Sequence, residues 1–412
     1  MRIKLILPKR APSLLEHYVS RSEKGASAQQ METFASLPLI AALTPPEYTV
    51  SILDENVECI PFDEEADLVG ISLSHTYQAP RAYQISERFR SKGIKVLLGG
   101  THVTVMPQEA GKHADSIVIG EAEPVWRRIL DDFKHNNLKK IYTAETYTDM
   151  AELPSSKKEL LKLDRYLIDF IETTRGCPHN CSFCAAKSVF GTTFRFRPVD
   201  KVIEEVSNSK FKFIDLGDST LMAHPVDFKR FLKELIPLKI NWQIEAPVYL
   251  AEDDELLKLC AESGCRFLSF GFESIKTENL KTLGKEFNAV EKYKEAIKKC
   301  HNYGITVVGL FMFGLDYDDE TYFDEFLDFV EETKMDQFVA NIITPFPGTR
   351  LFWELEKEGR IFERNWEKYD STHIVFKPKN ISVQKLYKGM LKVWMRGDKL
   401  WSKYYEKVME KR

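Results

Sequence analysis

Short apolar runs alternate with amphipathic stretches along the whole chain. In the first third, Ile3–Leu7, Tyr48–Leu53, Leu68–Leu73, Val96–Leu98 and Ser116–Ile119 read as strands. Tyr83–Lys92 and Pro124–His135 carry helical periodicity between them. Strands separated by helices predict a parallel sheet covered on both faces, hence a doubly wound, Rossmann-like domain over residues 1–140. Residues 141–165 are polar and weakly periodic, as in a linker. A second series follows, with strands at Phe170–Thr173, Phe213–Leu216, Asn241–Glu245, Phe267–Phe270, Thr306–Phe313 and Gln337–Ile343. Helical patterns fall at Asp200–Ser207, Val226–Leu235, Asp253–Ser263, Asn288–Tyr303 and Glu320–Lys334. Six strand–helix units predict a partial (β/α)6 barrel of TIM type over 166–350, with the chemistry on loops at the strand C-terminal ends. Residues 351–412 read as a small, charged helical C-terminal region, and the fold class is α/β.

The composition is that of an ordinary globular protein: 43% of the 412 residues are hydrophobic and 29% charged. This excludes collagen-like, disordered and small disulfide-stapled classes. The net charge of −4 provides no global basic field, so no nucleic-acid partner is expected. No run reaches the about 18 apolar residues of a membrane span. The first apolar run stops at Lys9-Arg10, too early for a signal peptide, so no transmembrane segment and a cytoplasmic location are expected. The cysteine count, seven, is odd, and three of the seven crowd into one loop.

That loop, Thr173-Thr-Arg-Gly-Cys-Pro-His-Asn-Cys-Ser-Phe-Cys184, follows the first barrel strand. Three thiolates are one short of a closed zinc or iron–sulfur site. Soft thiolate ligands suit a [4Fe–4S] cluster with one open iron, which can chelate a small molecule through an amine and a carboxylate. The plainer readings are a zinc site completed by His179, or unliganded thiols. Cys59, Cys260, Cys265 and Cys300 read as core thiols.

The C-x3-C-x2-C loop opening a six-unit βα barrel resembles the radical S-adenosylmethionine (radical SAM) superfamily. The resemblance implies a cluster on Cys177, Cys181 and Cys184, S-adenosylmethionine on its open iron, and reductive cleavage to a 5′-deoxyadenosyl radical. It also implies an external electron donor of flavodoxin or ferredoxin type. It sets Phe183 beside the adenine, Gly217-Asp218 in the amine-binding turn, Glu273 of Gly271-Phe-Glu-Ser274 at the ribose and Asn341 at the adenine edge. Asp218 suits a substrate ammonium or a helix N-cap equally. Val308–Gly314 resembles the family's Gly-flanked fifth strand and reads equally as a plain buried strand. One departure is Pro247, five residues after Trp242, where related enzymes often carry Arg. A carboxylate salt bridge from that position is therefore lost, which leaves Arg175, Gln243 and Glu245 as residues around which the site is rearranged.

In the front domain, Val69–Ser74, Leu97–His102 and Val118–Glu123 form a Ser turn, a Gly-Gly turn and a Gly-Glu turn. Their order resembles a cobalamin-binding domain, in which hydroxyls and glycine backbones allow close approach of the nucleotide tail. The implied contacts are Ser72, Ser74, His75, Gly99, Gly100, Thr101, His102, Gly120 and Glu121. With the barrel behind them, these turns resemble the cobalamin-binding radical SAM family across nearly the whole chain. Pro345–Thr349 and Trp366–Asp370 resemble its C-terminal signposts. No D-x-H-x-x-G run occurs between Pro8 and Asp54. The cofactor is thus expected with its own base displaced and no protein His supplied by that motif.

The resemblance implies a methyltransferase. It would move methyl from S-adenosylmethionine through methylcobalamin to an unactivated carbon or phosphorus of a small-molecule, lipid or peptide substrate, after hydrogen abstraction by the 5′-deoxyadenosyl radical. Three alternatives stay open. One is a family member performing cyclisation, rearrangement or oxygen insertion. Another is a tRNA methylthiotransferase, for which a second cluster and a basic module are wanting. The third is a non-catalytic cobalamin or iron–sulfur sensor.

Overall fold

The computed structural model describes residues 1–10, 30–217 and 224–409. Its strands are β1 (Arg2–Leu7), β2 (Gln30–Glu32), β3 (Thr49–Asp54), β4 (Leu68–Ser72), β5 (Lys95–Gly99), β6 (Ser116–Ile119), β7 (Ile141–Thr143), β8 (Tyr166–Glu172), β9 (Thr174–Arg175), β10 (Arg195–Phe196), β11 (Phe213–Gly217), β12 (Asn241–Ala246), β13 (Cys265–Glu273), β14 (Thr306–Phe313) and β15 (Gln337–Ile342). They build two parallel sheets, ordered β3-β1-β4-β5-β6-β7 and β15-β14-β13-β12-β11-β8-β2, and β9 pairs with β10.

The first sheet is buried on both faces, as continuous apolar strands require. Ile6, Val69, Ile71, Val96, Leu98 and Ile117 pack on one side with Phe89 of the helix Ala79–Arg90. Ile3, Leu5, Leu68, Leu97 and Val118 pack on the other with Trp126 and Ile129 of the helix Glu123–Lys134. The strand order reverses between β1 and β4, and a crevice at the carboxyl ends of such a switch is the usual ligand position.

Two short strands depart from the sequence reading. Ile141–Thr143, expected in the linker, is the sheet's sixth strand, with Tyr142 fully buried and its hydroxyl 2.7 Å from Asp132. Gln30–Glu32, expected in the front domain, instead pairs with β8 and adds a seventh strand to the barrel sheet. Three residues are too few for a period of two to register, so partner strands decide both placements.

In the barrel, alternation sends Ile214, Leu216, Ile244, Leu268, Phe270 and Phe338 outward into one large core beneath the helices. A small inner cluster, Ile168, Phe213, Phe267 and Val308, plugs the floor. The barrel is open at β15, whose edge is covered by the C-terminal helix Val383–Met409. Leu386, Met390 and Val393 are buried there, and Trp394 Nε1 donates 2.8 Å to the carbonyl of Ala340. A helix that satisfies an edge strand's carbonyl also blocks edge-to-edge pairing. Among the described residues no helix is long and apolar enough to cross a membrane. Cys260, Cys265 and Cys300 are buried, as core thiols should be, whereas Cys59 is exposed in a polar turn after β3.

Candidate functional site

The cysteine loop leaves β9 at the carboxyl end of the barrel. Gly176 has φ +80°, and a Cβ there would lie 2.1 Å from the carbonyl oxygen of Thr193, so only glycine turns the chain at this point. The loop is tied down further on, where Ser182 N donates 2.8 Å to Leu283 O and Leu351 N donates 2.9 Å to Ser182 O. Cys177, Cys181 and Cys184 are all free and half-buried. Burial raises the Cys177 thiol and pushes Cys181 up to about 11, with Cys184 and Glu273 adding to the rise and Lys285 opposing it. Such thiols hold their protons until a metal displaces them. Three soft donors on one half-buried loop, one short of closure, fit a [4Fe–4S] cluster with an open iron.

Around the loop, Lys285 Nζ pairs with Glu273 and lies 6.0 Å above the ring of Phe183. Glu273 takes φ +63° at a bulge in β13, which turns this carboxylate out of the strand's regular alternation. Asn341 lies on the barrel's inner side, between the outward-packed Ala340 and Ile342. Gly217 ends β11 against Phe170, whose ring would be 2.0 Å from an added Cβ. Asp218 falls outside the described residues.

Inside the barrel, Gln243 bonds Asp215, and Glu245 stands one turn of the pleat above. Burial pushes Asp215 up to about 7, with nearby Glu32 contributing. Glu245 has an accessible side chain, and desolvation by the surrounding walls, with Asp215 and Glu273 adding, pushes it up to about 7. The lumen is therefore acidic, and sequence periodicity alone did not bring Glu32 into it.

Between the two sheets lies a cavity of about 380 Å³. Ser72, Ser74, His75, Gly99, Gly100, Thr101, Gly120 and Glu121 line it from the front domain, and Phe170, Glu172, Arg175, Val189 and Phe190 from the barrel. The Ser72 and Ser74 hydroxyls are 3.3 Å apart. At Gly120, φ is +81° and an added Cβ would meet nothing within 4 Å, so the missing side chain leaves room in the wall. Burial, with Arg10 nearby, lowers His75 to about 4, so its imidazole is neutral. Glycine turns, hydroxyls and a neutral imidazole on a broad cleft suit a corrinoid, which is large and ringed by amides.

A buried ionic network joins the walls, a feature the sequence did not disclose. Arg175 Nη2 is 2.7 Å from Glu123 and 2.8 Å from Glu172, and Nη1 is 3.4 Å from Glu121. Arg195 holds both oxygens of Glu121, at 2.7 and 3.0 Å. The carboxylate of Glu121 is thus fully engaged. The signal was present as an Arg before the first cysteine and a Gly-Glu-Ala-Glu turn about one domain earlier, but nothing local pairs them.

His102 does not line the cavity. Its ring is wholly buried, 3.4 Å from Thr76 and 3.6 Å from Glu109, with its edge toward Trp366. Trp366 Nε1 and Tyr83 Oη both donate 2.9 Å to Glu109, so this cluster clasps the C-terminal segment to the front domain. Burial raises the Glu109 carboxyl, but the nearby His102 imidazole and the Trp366 and Tyr83 hydrogen bonds outweigh it and hold it below the ordinary range. A lowered acid stabilises above its unfolded pKa and loses that contribution as pH falls through its folded value. Glu109→Gln is therefore expected to lower the melting temperature at pH 7, by an amount matching about 1–2 kcal/mol. The gap to wild type should begin to narrow only as pH falls below about 4.5, the ordinary value from which Glu109 is lowered, and a gap of constant size down to the acid limb would refute the ionic account.

The comparisons with known proteins agree with this geometry. A model of the radical SAM superfamily matches residues 171–330, and one of the B12 binding domain matches residues 37–130. Bacteriochlorophyllide d C-12(1)-methyltransferase of Chlorobaculum tepidum is 32% identical over 378 residues, covering 87% of this chain and 81% of that protein. The chain belongs to the cobalamin-binding radical SAM family. A second relative in the family, bacteriochlorophyllide d C-8(2)-methyltransferase of the same organism, is 32% identical over 83% of this chain and 80% of its own length. The radical SAM methyltransferase TsrM of Kitasatospora setae, solved with cobalamin and a [4Fe–4S] cluster, shares the fold at a TM-score of 0.70 and 17% identity. The match covers 87% of this chain and 78% of that one. As a member of the cobalamin-binding radical SAM family, this chain is an enzyme whose cofactors are a [4Fe–4S] cluster, S-adenosylmethionine and cobalamin.

Proposed function

We propose that the enzyme transfers a methyl group to an unactivated alkyl carbon on a large, planar, apolar ring system of the tetrapyrrole class. One observation carries the reading: a single cavity is bounded by the Ser and Gly turns of the front domain and by the segment that flanks the cysteine loop. Bound here, the cofactors supply a 5′-deoxyadenosyl radical for hydrogen abstraction and a cobalt-borne methyl group.

The chain's own residues supply the arrangement. Cys177, Cys181 and Cys184 hold the cluster, with Phe183, Gly217, Glu273 and Asn341 around S-adenosylmethionine. Ser72, Ser74, His75, Gly99, Gly100, Thr101 and Gly120 border the corrinoid. Loops after the strand carboxyl ends present rings for a flat substrate. His179 stacks on Phe287 at 4.2 Å with Tyr249 at its edge, and Phe194 stacks on His224 at 5.0 Å. Both relatives act, by their names, on bacteriochlorophyllide d.

The test is anaerobic reconstitution with iron, sulfide and hydroxocobalamin. A low-potential donor, S-adenosylmethionine and a bacteriochlorophyllide then follow, with mass spectrometry of the pigment and of 5′-deoxyadenosine. A gain of one CH2 in the pigment supports the reading. Cleavage of S-adenosylmethionine with gain of oxygen or loss of hydrogen in the pigment, or with no change in it, would overturn it.

A further inference from the structure

His75 alone among the described histidines lines the interdomain cavity. It is accessible there, whereas His102, the other histidine of the front-domain turns, is wholly buried outside it. Its backbone is held from several sides. The His75 N–H donates 3.0 Å to Gln78 Oε1, the His75 carbonyl accepts from Gln78 N at 3.1 Å, and Gln78 Nε2 donates 2.9 Å to the carbonyl of Pro8. One glutamine thus ties the turn after β4 to the turn after β1, across the reversal of strand order. The imidazole itself stacks on Tyr77, with ring centroids 5.0 Å apart and planes 15° apart. Enclosure by the walls, with the Arg10 cation nearby, keeps the ring neutral, so one ring nitrogen carries a lone pair. Tyr77 lines the cavity as well, but burial raises its phenol, and a protonated phenol is a poor metal donor.

We propose that His75 binds the cobalt of the corrinoid through a ring nitrogen, on the face turned away from the barrel. The inference rests on the cobalamin assignment and supplies the axial ligand that this assignment leaves open, since no D-x-H-x-x-G run occurs between Pro8 and Asp54. Position favours it first. His75 shares its wall with Ser74, Gly99, Gly100 and Gly120, and the barrel residues Phe170, Val189 and Phe190 form the wall opposite. A flat ring held between the two walls turns one face to His75 and the other to the barrel. Chemistry favours it next. Neutral imidazole is the commonest side-chain ligand of metals, and a ring already held by its turn and by stacking loses little freedom on binding. The exchange balances: a dative bond from nitrogen to cobalt forms, the bond from cobalt to the cofactor's own base or to water breaks, and no electron changes hands. The released base and its nucleotide are then free to enter the cleft between the Ser and Gly turns.

The experiment is electron paramagnetic resonance of the reconstituted full chain, loaded with hydroxocobalamin and reduced to the cobalt(II) state while the cluster stays oxidised and silent. An axial nitrogen splits the cobalt lines into triplets, and the heavy nitrogen isotope in its place gives doublets. Unlabelled protein should show triplets. Protein grown on histidine ring-labelled with heavy nitrogen should show doublets, because the nitrogen then comes from the chain and not from the cofactor's base. In labelled His75→Ala the doublets should vanish, and hydroxocobalamin should bind at least about tenfold more weakly, the scale on which disturbed metal ligation acts. Labelled Tyr77→Phe should keep the doublets. Triplets that persist in the labelled wild type would put the cofactor's own base on cobalt, and unsplit lines would leave water or nothing there; either result overturns the proposal. Doublets that survive His75→Ala would overturn the choice of His75. Should that variant fail to fold or to bind, the labelled wild type decides alone, since no other described histidine lines the cavity. Wild-type protein that binds hydroxocobalamin without a histidine splitting sinks this proposal and leaves the cofactor reading standing, whereas failure to bind hydroxocobalamin sinks both.

Discussion

Cys177→Ala is expected to abolish 5′-deoxyadenosine formation, by at least about a hundredfold, because two thiolates cannot hold a cluster that needs three. The half-exposed loop offers no spare sulfur. The other cysteines are Cys260, Cys265 and Cys300, which are buried in the barrel core, and Cys59, which lies in a turn of the front domain. Iron and sulfide content should fall with activity, while far-ultraviolet dichroism stays that of the wild type, since the loop is anchored by backbone hydrogen bonds of Cys177, Ser182 and Leu351 and not by the Cys177 side chain. Cys300→Ala is the matched control. It removes a buried thiol from the main core, so it should cost about 1 kcal/mol of stability through lost packing and leave the iron content unchanged. S-adenosylmethionine cleavage retained in Cys177→Ala, or iron lost equally in Cys300→Ala, would show that the cluster sits elsewhere.

Gly100→Ala should empty the corrinoid cleft. Gly100 has φ +102° and ψ −177°, a backbone region essentially reserved for glycine. Its added Cβ would lie 2.7 Å from the carbonyl oxygen of Leu73 and 2.9 Å from its nitrogen. These are backbone atoms and cannot swing aside. The same Leu73 links the two turns, accepting from His102 N at 3.1 Å and donating to Gly99 O at 2.8 Å. The substitution therefore forces the Ser72–Ser74 turn away from the Gly99–Thr101 turn. Conformational strain alone is worth about 1–3 kcal/mol, and the clash adds to it. The expected result is a front domain that melts several degrees lower and protein that retains little cobalamin after gel filtration. Gly120→Ala is the contrast: it also has positive φ, but its Cβ meets nothing within 4 Å, so it carries the strain alone. A Gly100→Ala protein that melts and binds like wild type would contradict the geometry.

Much of the architecture was legible in the chain. The βα rhythm gave both sheets, because a strand buried on both faces and a helix buried on one leave different apolar periods. The cysteine spacing was legible too, since ligands to one cluster lie close in sequence. The turns at Gly100 and Gly120 could be read because each takes a positive φ that favours glycine. What failed was of another kind. Gln30–Glu32 and Ile141–Thr143 are too short to show a period, and were misplaced until partner strands fixed them. His102 sat in a motif that suggested a cofactor neighbour, yet it turns away toward Glu109 and Trp366, 7 and 264 residues further on. Cys59 read as a core thiol because it falls near positions predicted to be buried, but it is exposed after β3.

The sequence by itself determined the two α/β units, their order, the sulfur trio and the glycine turns, all of which are properties of contiguous residues. The tertiary structure alone decided which charged groups meet across the cleft. Glu121 and Glu123 reach Arg175 and Arg195 only after both domains have folded and docked, and burial then makes those pairs specific where water would leave them interchangeable. Local patterns encode elements because backbone periodicity is short-ranged. Pairing between distant charges has no period, so it is written only in the folded chain.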